Sequence, residues 1–413
     1  MIINPSKAKG VFVSPPSKSI AHRYLICAAL ADGKSVINNV AFSEDIKATL
    51  ECIKQIGAEV VVEENKITVK GNPKALFLNE GNPKTFNCNE SGSTLRFFIP
   101  LSMLNNIPSR FAGSKVLMTR PLSVYEEICR KQNISFEQKN GVLETCGKLN
   151  PGVFNIPGNI SSQFITGLLF ALPLLDGNSE INLTESIESK SYIELTIEAL
   201  KDFGIDVQWK NGNTLLIPGK QSYKPKDIIV EGDYSNAAFF EALNLLGGKV
   251  EIKGLRDNSL QGDRICFDYF KKIKSGYTSI DISDCPDLGP VLFVAAACFK
   301  GAEFIGTRRL KIKESNRGTV MCEELSKFGV KSLQEENRII IYESNLKKPE
   351  QLVCGHNDHR VVMSLAVLMT VTGGKLDGVL AVKKSFPDFF RKLKELEIDF
   401  KFDAEGESDG LDN

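Results

Sequence analysis

One local pattern recurs along the 413 residues, and it limits what the chain can fold into more than any other feature. At Ile53 to Val69 a helix end is followed by Gly57, a β-rich run, the polar pair Glu64-Asn65 and a second β-rich run. Glycine at this place suits a left-handed helix cap, and a polar pair between two strands suits a hairpin. The same order returns at Cys129 to Glu144, with Asn133 in the glycine position and Asn140-Gly141 as the turn. It returns at Leu200 to Ile217 (Gly204, Asn211-Gly212) and at Leu325 to Ile341 (Gly329, Glu336-Asn337). Weaker copies lie at Phe270 to Ile282, around Gly276, and at Leu393 to Phe402, where Glu397 replaces glycine. Six copies predict six α/β units. Their spacing of roughly 50 to 75 residues is too long for solenoid repeats. Two groups of three, each around its own core, fit the length better.

The break between groups is expected at Val230 to Asn236, a short polar, glycine-bearing stretch ahead of the apolar run Ala237 to Leu246. A second crossing is expected near Ser14 to Ser17. Residues 1–17 with 234–413 would then form a discontinuous domain, and 18–233 an inserted one, with the active site in the cleft between them.

The chain carries 51 basic and 51 acidic residues, so no global field recruits nucleic acid or an anionic membrane. Any anion site has to be built locally. Ten scattered cysteines without a C-x-x-C pair, and no signal-like or membrane-spanning stretch, predict a cytoplasmic protein. Three histidines leave little material for a metal site. The acidic tail Glu405 to Asn413 is expected to fray.

Against that neutral background, cations gather at predicted corners. Gly10 to Val13 reads as a strand, Pro15-Pro16 stops it, and Ser17-Lys18-Ser19 opens an apolar helix with Arg23 on it. Helix starts favour anions. Glu90-Ser91-Gly92-Ser93-Thr94 precedes Arg96, and Ser161-Ser162-Gln163 and Ser189-Lys190-Ser191-Tyr192 open two further helices. The run Lys115 to Met118 reads as a strand with Arg120 at its exit. Asp287, Lys313-Glu314-Ser315-Asn316-Arg317, Asn357-Asp358-His359-Arg360 and Lys384 follow in the second half. Each motif alone is equally a capped helix with solvated charges. Lys18, Arg23, Arg96, Arg120, Lys313, Arg317, Arg360 and Lys384 together point to a substrate bearing phosphate and carboxylate, with Asp287 and Glu314 as an acid–base pair.

In this order, P-S-K-S-x-x-x-R, E-S-G-S-T-x-R, R-P-L, S-S-Q, S-K-x-Y, G-D-x-S, Q-G-D, P-D, K-E-S-N-R, N-D-H-R and K-S-F-P-D-F closely resemble the 5-enolpyruvylshikimate-3-phosphate synthase family over nearly the whole chain. The resemblance implies an α/β (α+β) fold of two similar domains, each of three βαβαββ units about a pseudo-threefold axis, an inside-out α/β barrel. It implies transfer of the enolpyruvyl group of phosphoenolpyruvate to the 5-hydroxyl of shikimate 3-phosphate, without metal or cofactor. By matched position, Lys18, Ser19, Arg23, Ser161, Ser162, Gln163, Ser189, Asp287 and Lys313 would hold shikimate 3-phosphate. Lys18, Gly92, Arg120, Gln163, Arg317, Arg360 and Lys384 would hold phosphoenolpyruvate, and glyphosate would compete there. Asp287, Glu314 and Lys18 would be catalytic: Asp287 as base for the 5-hydroxyl, the other two as candidates for proton delivery and removal at the methylene. A monomer is expected.

Two positions depart from the family pattern: Val116 stands where an arginine is usual, and Arg309 where an asparagine is common. The rival in the same fold, UDP-N-acetylglucosamine enolpyruvyl transferase, would be expected to carry a loop cysteine before R-P-L, and Gly113 to Thr119 has none. A non-catalytic anion-binding relative is the rival from another class.

Overall fold

The computed structural model describes residues 1–78 and 81–402; the acidic tail from Glu405 lies outside them. Two compact units form: Met1–Pro15 with the chain from Gly232 onward, and Pro16–Glu231. Their buried apolar cores share no residue.

In the unit Pro16–Glu231 the chain builds three sheets of the same plan. Strand Lys84–Asn87 is followed by helix Gly92–Ser102, the parallel strand Ser109–Ala112, helix Ser123–Gln132 and the hairpin Ser135–Lys139/Val142–Cys146. The next repeat runs Val153–Ile156, Ser162–Ala171, Ser179–Leu183, Lys190–Asp202 and the hairpin Gln208–Asn211/Thr214–Ile217. The remaining repeat takes its first strand from far along the chain: Ile228–Ile229 pairs in parallel with Gly33–Asn38. Strand burial alternates, as in Val142–Cys146, so each sheet turns one face to the core.

The other unit repeats the plan around Gly289–Ala297 and around His359–Thr372. In the latter, the inner hairpin strand comes from the N-terminus: Ile2–Ile3 lies between Gly374–Asp377 and Phe400–Lys401. The third repeat is reduced. Lys9–Val13 pairs in parallel with Lys249–Lys253, and no hairpin completes that sheet among the described residues. The weak copy expected at Phe270 to Ile282 is therefore not a hairpin. Ser279–Asp281 is the first strand of the following sheet, and Gly276 ends a helix at positive φ (147°) but with ψ −170°, outside the left-handed helical cap the copy predicts.

Three helices in each unit are buried nearly all round. All nine residues of Gly289–Ala297 and eleven consecutive residues of Lys18–Leu30, from Ile20, are buried. Helices so apolar belong inside. P-S-K-S, E-S-G-S-T, S-S-Q, G-D-x-S, P-D and N-D-H-R fall at or just before their N-termini, whereas S-K-x-Y and K-E-S-N-R open the less buried helices Lys190–Asp202 and Arg317–Lys327. Lys115–Met118, expected as a strand, is a single helical turn capped by Ser114, whose hydroxyl accepts from Leu117 N at 3.2 Å. Lys115 and Val116 are both exposed on it, so strand alternation does not separate them. Lys384 ends the short helix Val379–Lys384 instead of opening one.

Candidate active site

The unit Pro16–Glu231 gathers its polar motifs into two linked groups. At the start of helix Lys18–Leu30, Lys18 Nζ pairs with Asp45 at 2.7 Å. Arg23 is buried; its Nη1 donates to Ser19 O (2.6 Å), its Nη2 to Tyr192 O (2.9 Å) and its Nε to Thr196 Oγ1 (2.9 Å). Burial brings its guanidinium down to about 10. Ser189 precedes helix Lys190–Asp202 in a left-handed conformation (φ 56°). Arg23 is thereby tied to the S-K-x-Y turn.

The second group joins two helix starts. Ser91 caps Gly92–Ser102 by accepting from Thr94 N. Arg96 Nη1 donates to Gln163 Oε1 (2.8 Å), and Gln163 Nε2 donates to Ser93 Oγ (3.0 Å). Ser161 caps Ser162–Ala171, accepting from Gln163 N at 3.3 Å. A Cβ on Gly92 would stand 2.9 Å from Arg120 Nη1, 3.0 Å from Arg96 Nη1 and 3.7 Å from Gln163 Oε1. Gly92 thus leaves a bare backbone surface beneath two guanidinium groups, a cradle suited to an anion.

A hydroxyl chain fixes this group from below. His22 Nδ1, Thr49 Oγ1, Thr94 Oγ1 and Ser91 Oγ are linked at 2.7, 2.8 and 2.7 Å. Burial first, then Lys18 and Arg23, lower the His22 pKa well below its usual range, so the ring is neutral.

The unit of Gly232 onward holds the acids. Asp287 Oδ1 meets Arg317 Nη1 at 2.7 Å and Lys313 Nζ at 3.0 Å, and its Oδ2 lies 3.8 Å from Arg360 Nη2. Burial works to raise this carboxyl, but Lys313, Arg317 and Arg360 together hold it well below the ordinary range. Burial brings the Lys313 ammonium down to about 8 despite Asp287. Arg317 also forks onto Asp358, with Nε to Oδ2 at 2.8 Å and Nη2 to Oδ1 at 3.2 Å. Glu314 Oε2 lies 2.8 Å from His359 Nδ1, and its Oε1 lies 3.8 Å from Arg317 Nη2. Arg360 Nη1 donates to Ser235 O at 3.2 Å, and Lys384 Nζ donates to Asn357 O at 2.6 Å.

Glu314, Asp358 and His359 bring ligand-type atoms within 4.8 Å of one another. Both Asp358 oxygens are already taken by Arg317, by Ser315 Oγ and by Arg360 N, so this set is an ion-pair network around a fixed guanidinium. Asp45, Asp358, His359, Ser235 and Asp263, whose carboxylate accepts from the Ser235 hydroxyl, are residues that the sequence alone does not single out. Asp358 and His359 lie inside N-D-H-R, and Ser235 and Asp263 lie inside G-D-x-S and Q-G-D, so the motifs held the signal. Asp45 sits in the acidic first turn of another helix, with nothing to mark it as the partner of Lys18.

Solved structures share this fold. The EPSP synthase of Acinetobacter baumannii superposes with a TM-score of 0.78 at 21% identity, covering 97% of this chain and 99% of that one. The enolpyruvyl transferase NikO of Streptomyces tendae gives 0.76 at 12% identity, covering 96% and 97%. The fold is therefore the two-unit α/β fold that these structures represent. The model of the EPSP synthase (3-phosphoshikimate 1-carboxyvinyltransferase) family matches residues 3–393, and the chain belongs to that family. Among curated relatives, the 3-phosphoshikimate 1-carboxyvinyltransferase of Clostridium perfringens (strain ATCC 13124) is 42% identical over 96% of this chain and 98% of its own length. That of Clostridium beijerinckii is 41% identical over 95% and 96%.

Proposed function

We propose that the protein transfers the enolpyruvyl group of phosphoenolpyruvate to the 5-hydroxyl of shikimate 3-phosphate and releases phosphate, as a step of the shikimate pathway. Family membership supports the reaction class, and one observation carries the chemistry: a carboxylate, Asp287, held among Lys313, Arg317 and Arg360. Such a set suits a reaction in which anionic reactants are gathered and a hydroxyl loses its proton.

Lys18, Ser19, Arg23, Ser161, Ser162, Gln163, Ser189, Asp287 and Lys313 are assigned to shikimate 3-phosphate. Lys18, Gly92, Arg120, Gln163, Arg317, Arg360 and Lys384 are assigned to phosphoenolpyruvate, where glyphosate, carrying a phosphonate and a carboxylate, would compete. In the free protein Asp287 is a weak base, because three cations stabilise its charged form. Substrate phosphate and carboxylate groups beside those cations would offset their charge and raise its proton affinity. Asp287 would then accept the 5-hydroxyl proton while Glu314 or Lys18 delivers a proton to the methylene carbon. The tetrahedral intermediate would then lose phosphate while Glu314 or Lys18 takes a proton back from its methyl group, which restores the carbon–carbon double bond of the enol ether.

The test is phosphate release from phosphoenolpyruvate with shikimate 3-phosphate as acceptor, run beside UDP-N-acetylglucosamine. Turnover with the first acceptor alone is expected; turnover with the second, or with neither, would overturn the reading. Asp287→Asn should lower turnover by about 100-fold or more, the usual contribution of a positioned base, and leave shikimate 3-phosphate affinity within roughly tenfold. Near-normal turnover would remove Asp287 from that role.

A further inference from the structure

Glu324 lies on helix Arg317–Lys327, two turns beyond Arg317, and is almost wholly buried. A buried carboxylate is costly unless its oxygens are used. Its Oε2 accepts from Cys354 N (2.9 Å) and Lys327 Nζ (2.8 Å), and its Oε1 accepts from Lys327 Nζ (3.0 Å) and lies 2.9 Å from His356 Nε2. Two of these contacts reach out of the helix to the segment that leads into Asn357-Asp358-His359-Arg360.

That segment has little freedom left. His356 and Asn357 are consecutive non-glycine residues in the left-handed region, at φ 49° and 51°. Such residues persist only where their surroundings over-determine them. Gly355 N donates to Asp377 O at 3.1 Å, and a Cβ on Gly355 would come within 2.3 Å of Val362 Cγ2. The neighbouring strand thus grips one side of the turn and Glu324 the other. Three candidate-site groups depend on where the turn ends. Asn357 O receives Lys384 Nζ, Asp358 receives the Arg317 fork, and Arg360 lies in the first turn of helix His359–Thr372 with its guanidinium near Asp287.

From this geometry we infer that Glu324, acting through His356 and the Cys354 amide, is a positioning residue that sets the placement of Asp358, Arg360 and Lys384 for anion binding. It touches no substrate itself. The inference rests on the assignment of Arg360 and Lys384 to phosphoenolpyruvate, and its test is arranged to separate the two.

Steady-state kinetics on the full chain would compare Glu324→Gln, Glu324→Ala, His356→Ala, His356→Gly and Arg360→Lys, with a thermal melt of each. Small misplacement of binding groups costs up to about 100-fold. Glu324→Ala is therefore expected to raise KM for phosphoenolpyruvate about tenfold or more, with KM for shikimate 3-phosphate unchanged within about twofold. Glu324→Gln, which keeps the shape and one acceptor, should lie between Glu324→Ala and wild type. His356→Ala loses the contact to Glu324 yet keeps the strained backbone, whereas glycine is at ease there, so His356→Ala should be the worse of the two. Equal changes in both Michaelis constants, or a lower melting temperature with neither constant moved, would overturn the positioning role. An unmoved phosphoenolpyruvate KM in Arg360→Lys beside a raised one in Glu324→Ala would instead overturn the assignment of Arg360 and leave the brace standing. With both unmoved, both fall.

Discussion

Single residues set the electrostatics of the candidate site, and two of them give measurable consequences. Burial brings Lys313 down to about 8, so its ammonium is marginal just above neutral pH. An anion bound beside it stabilises the charged form, so the pKa in a complex is higher than in the free protein. The sign follows. Below about pH 8 the ammonium is present in both states and KM for shikimate 3-phosphate should be flat. Above it, free enzyme must be reprotonated to bind, and KM should climb by up to about tenfold per pH unit until the pKa of the complex is reached. Lys313→Arg, always charged, should lose that climb. A wild-type KM that stays level to pH 9.5 would show that Lys313 does not meet the anion. Gly92 gives the second consequence. An added Cβ would stand 2.9 Å from Arg120 Nη1 and 3.0 Å from Arg96 Nη1, inside van der Waals contact, so these flexible side chains would have to shift. Glyphosate, longer than phosphoenolpyruvate, would tolerate that intrusion less well if it competes there as proposed. Gly92→Ala is expected to raise the glyphosate inhibition constant by a larger factor than the phosphoenolpyruvate KM; equal factors would place the inhibitor elsewhere.

Elements were legible where a local conformation had a chemical signature. Gly57, Asn133, Gly204 and Gly329 all take positive φ after a helix, as their positions in the repeat require. The hairpin turn at Asn140-Gly141 has both residues at positive φ, the pattern of a tight two-residue loop. The turn expected at Asn211-Gly212 shifts by one residue, since Asn211 still pairs with Thr214 and the loop is Gly212-Asn213. Lys115–Met118 misled because four residues show no period, and the decisive signal was Ser114 as a cap. Ion pairs such as Lys18–Asp45 were not legible, because the partners lie on different helices and nothing local specifies their meeting. Glu397 shows the repeat acting against residue preference, holding φ 66° where other copies place glycine or asparagine. A left-handed residue other than glycine costs roughly 1–2 kcal/mol. Part of this is offset by the freedom glycine adds to the unfolded chain. Glu397→Gly should therefore stabilise the protein by about 0.5–1 kcal/mol in urea unfolding, seen as a higher midpoint at unchanged slope. A lower midpoint would mean that the Glu397 side chain contributes more than its backbone costs.

At the scale of the whole chain, each unit completes a sheet with a strand distant in sequence: Ile228–Ile229 in one, Ile2–Ile3 in the other. The repeat grammar predicted how many copies to expect but not these exchanges, since a two-residue strand carries no periodic signal. In the second unit the consequence is strong. Ile2–Ile3 is an inner strand, and the Met1 ammonium donates to Leu376 O at 3.0 Å. Ile3 is buried in the core formed by this unit alone. Removing three carbons from such a site costs about 2–4 kcal/mol, counting lost burial and the cavity left behind. Ile3→Ala should therefore loosen the sheet of Val353–Cys354, Gly374–Asp377 and Phe400–Lys401. Because the two cores share no residue, amides in the three sheets of Pro16–Glu231 should keep their protection. Hydrogen exchange read strand by strand decides it. A selective gain in exchange around Gly374–Asp377 supports a core held together by the N-terminal strand, whereas a uniform gain across both units would mean that they unfold as one cooperative body.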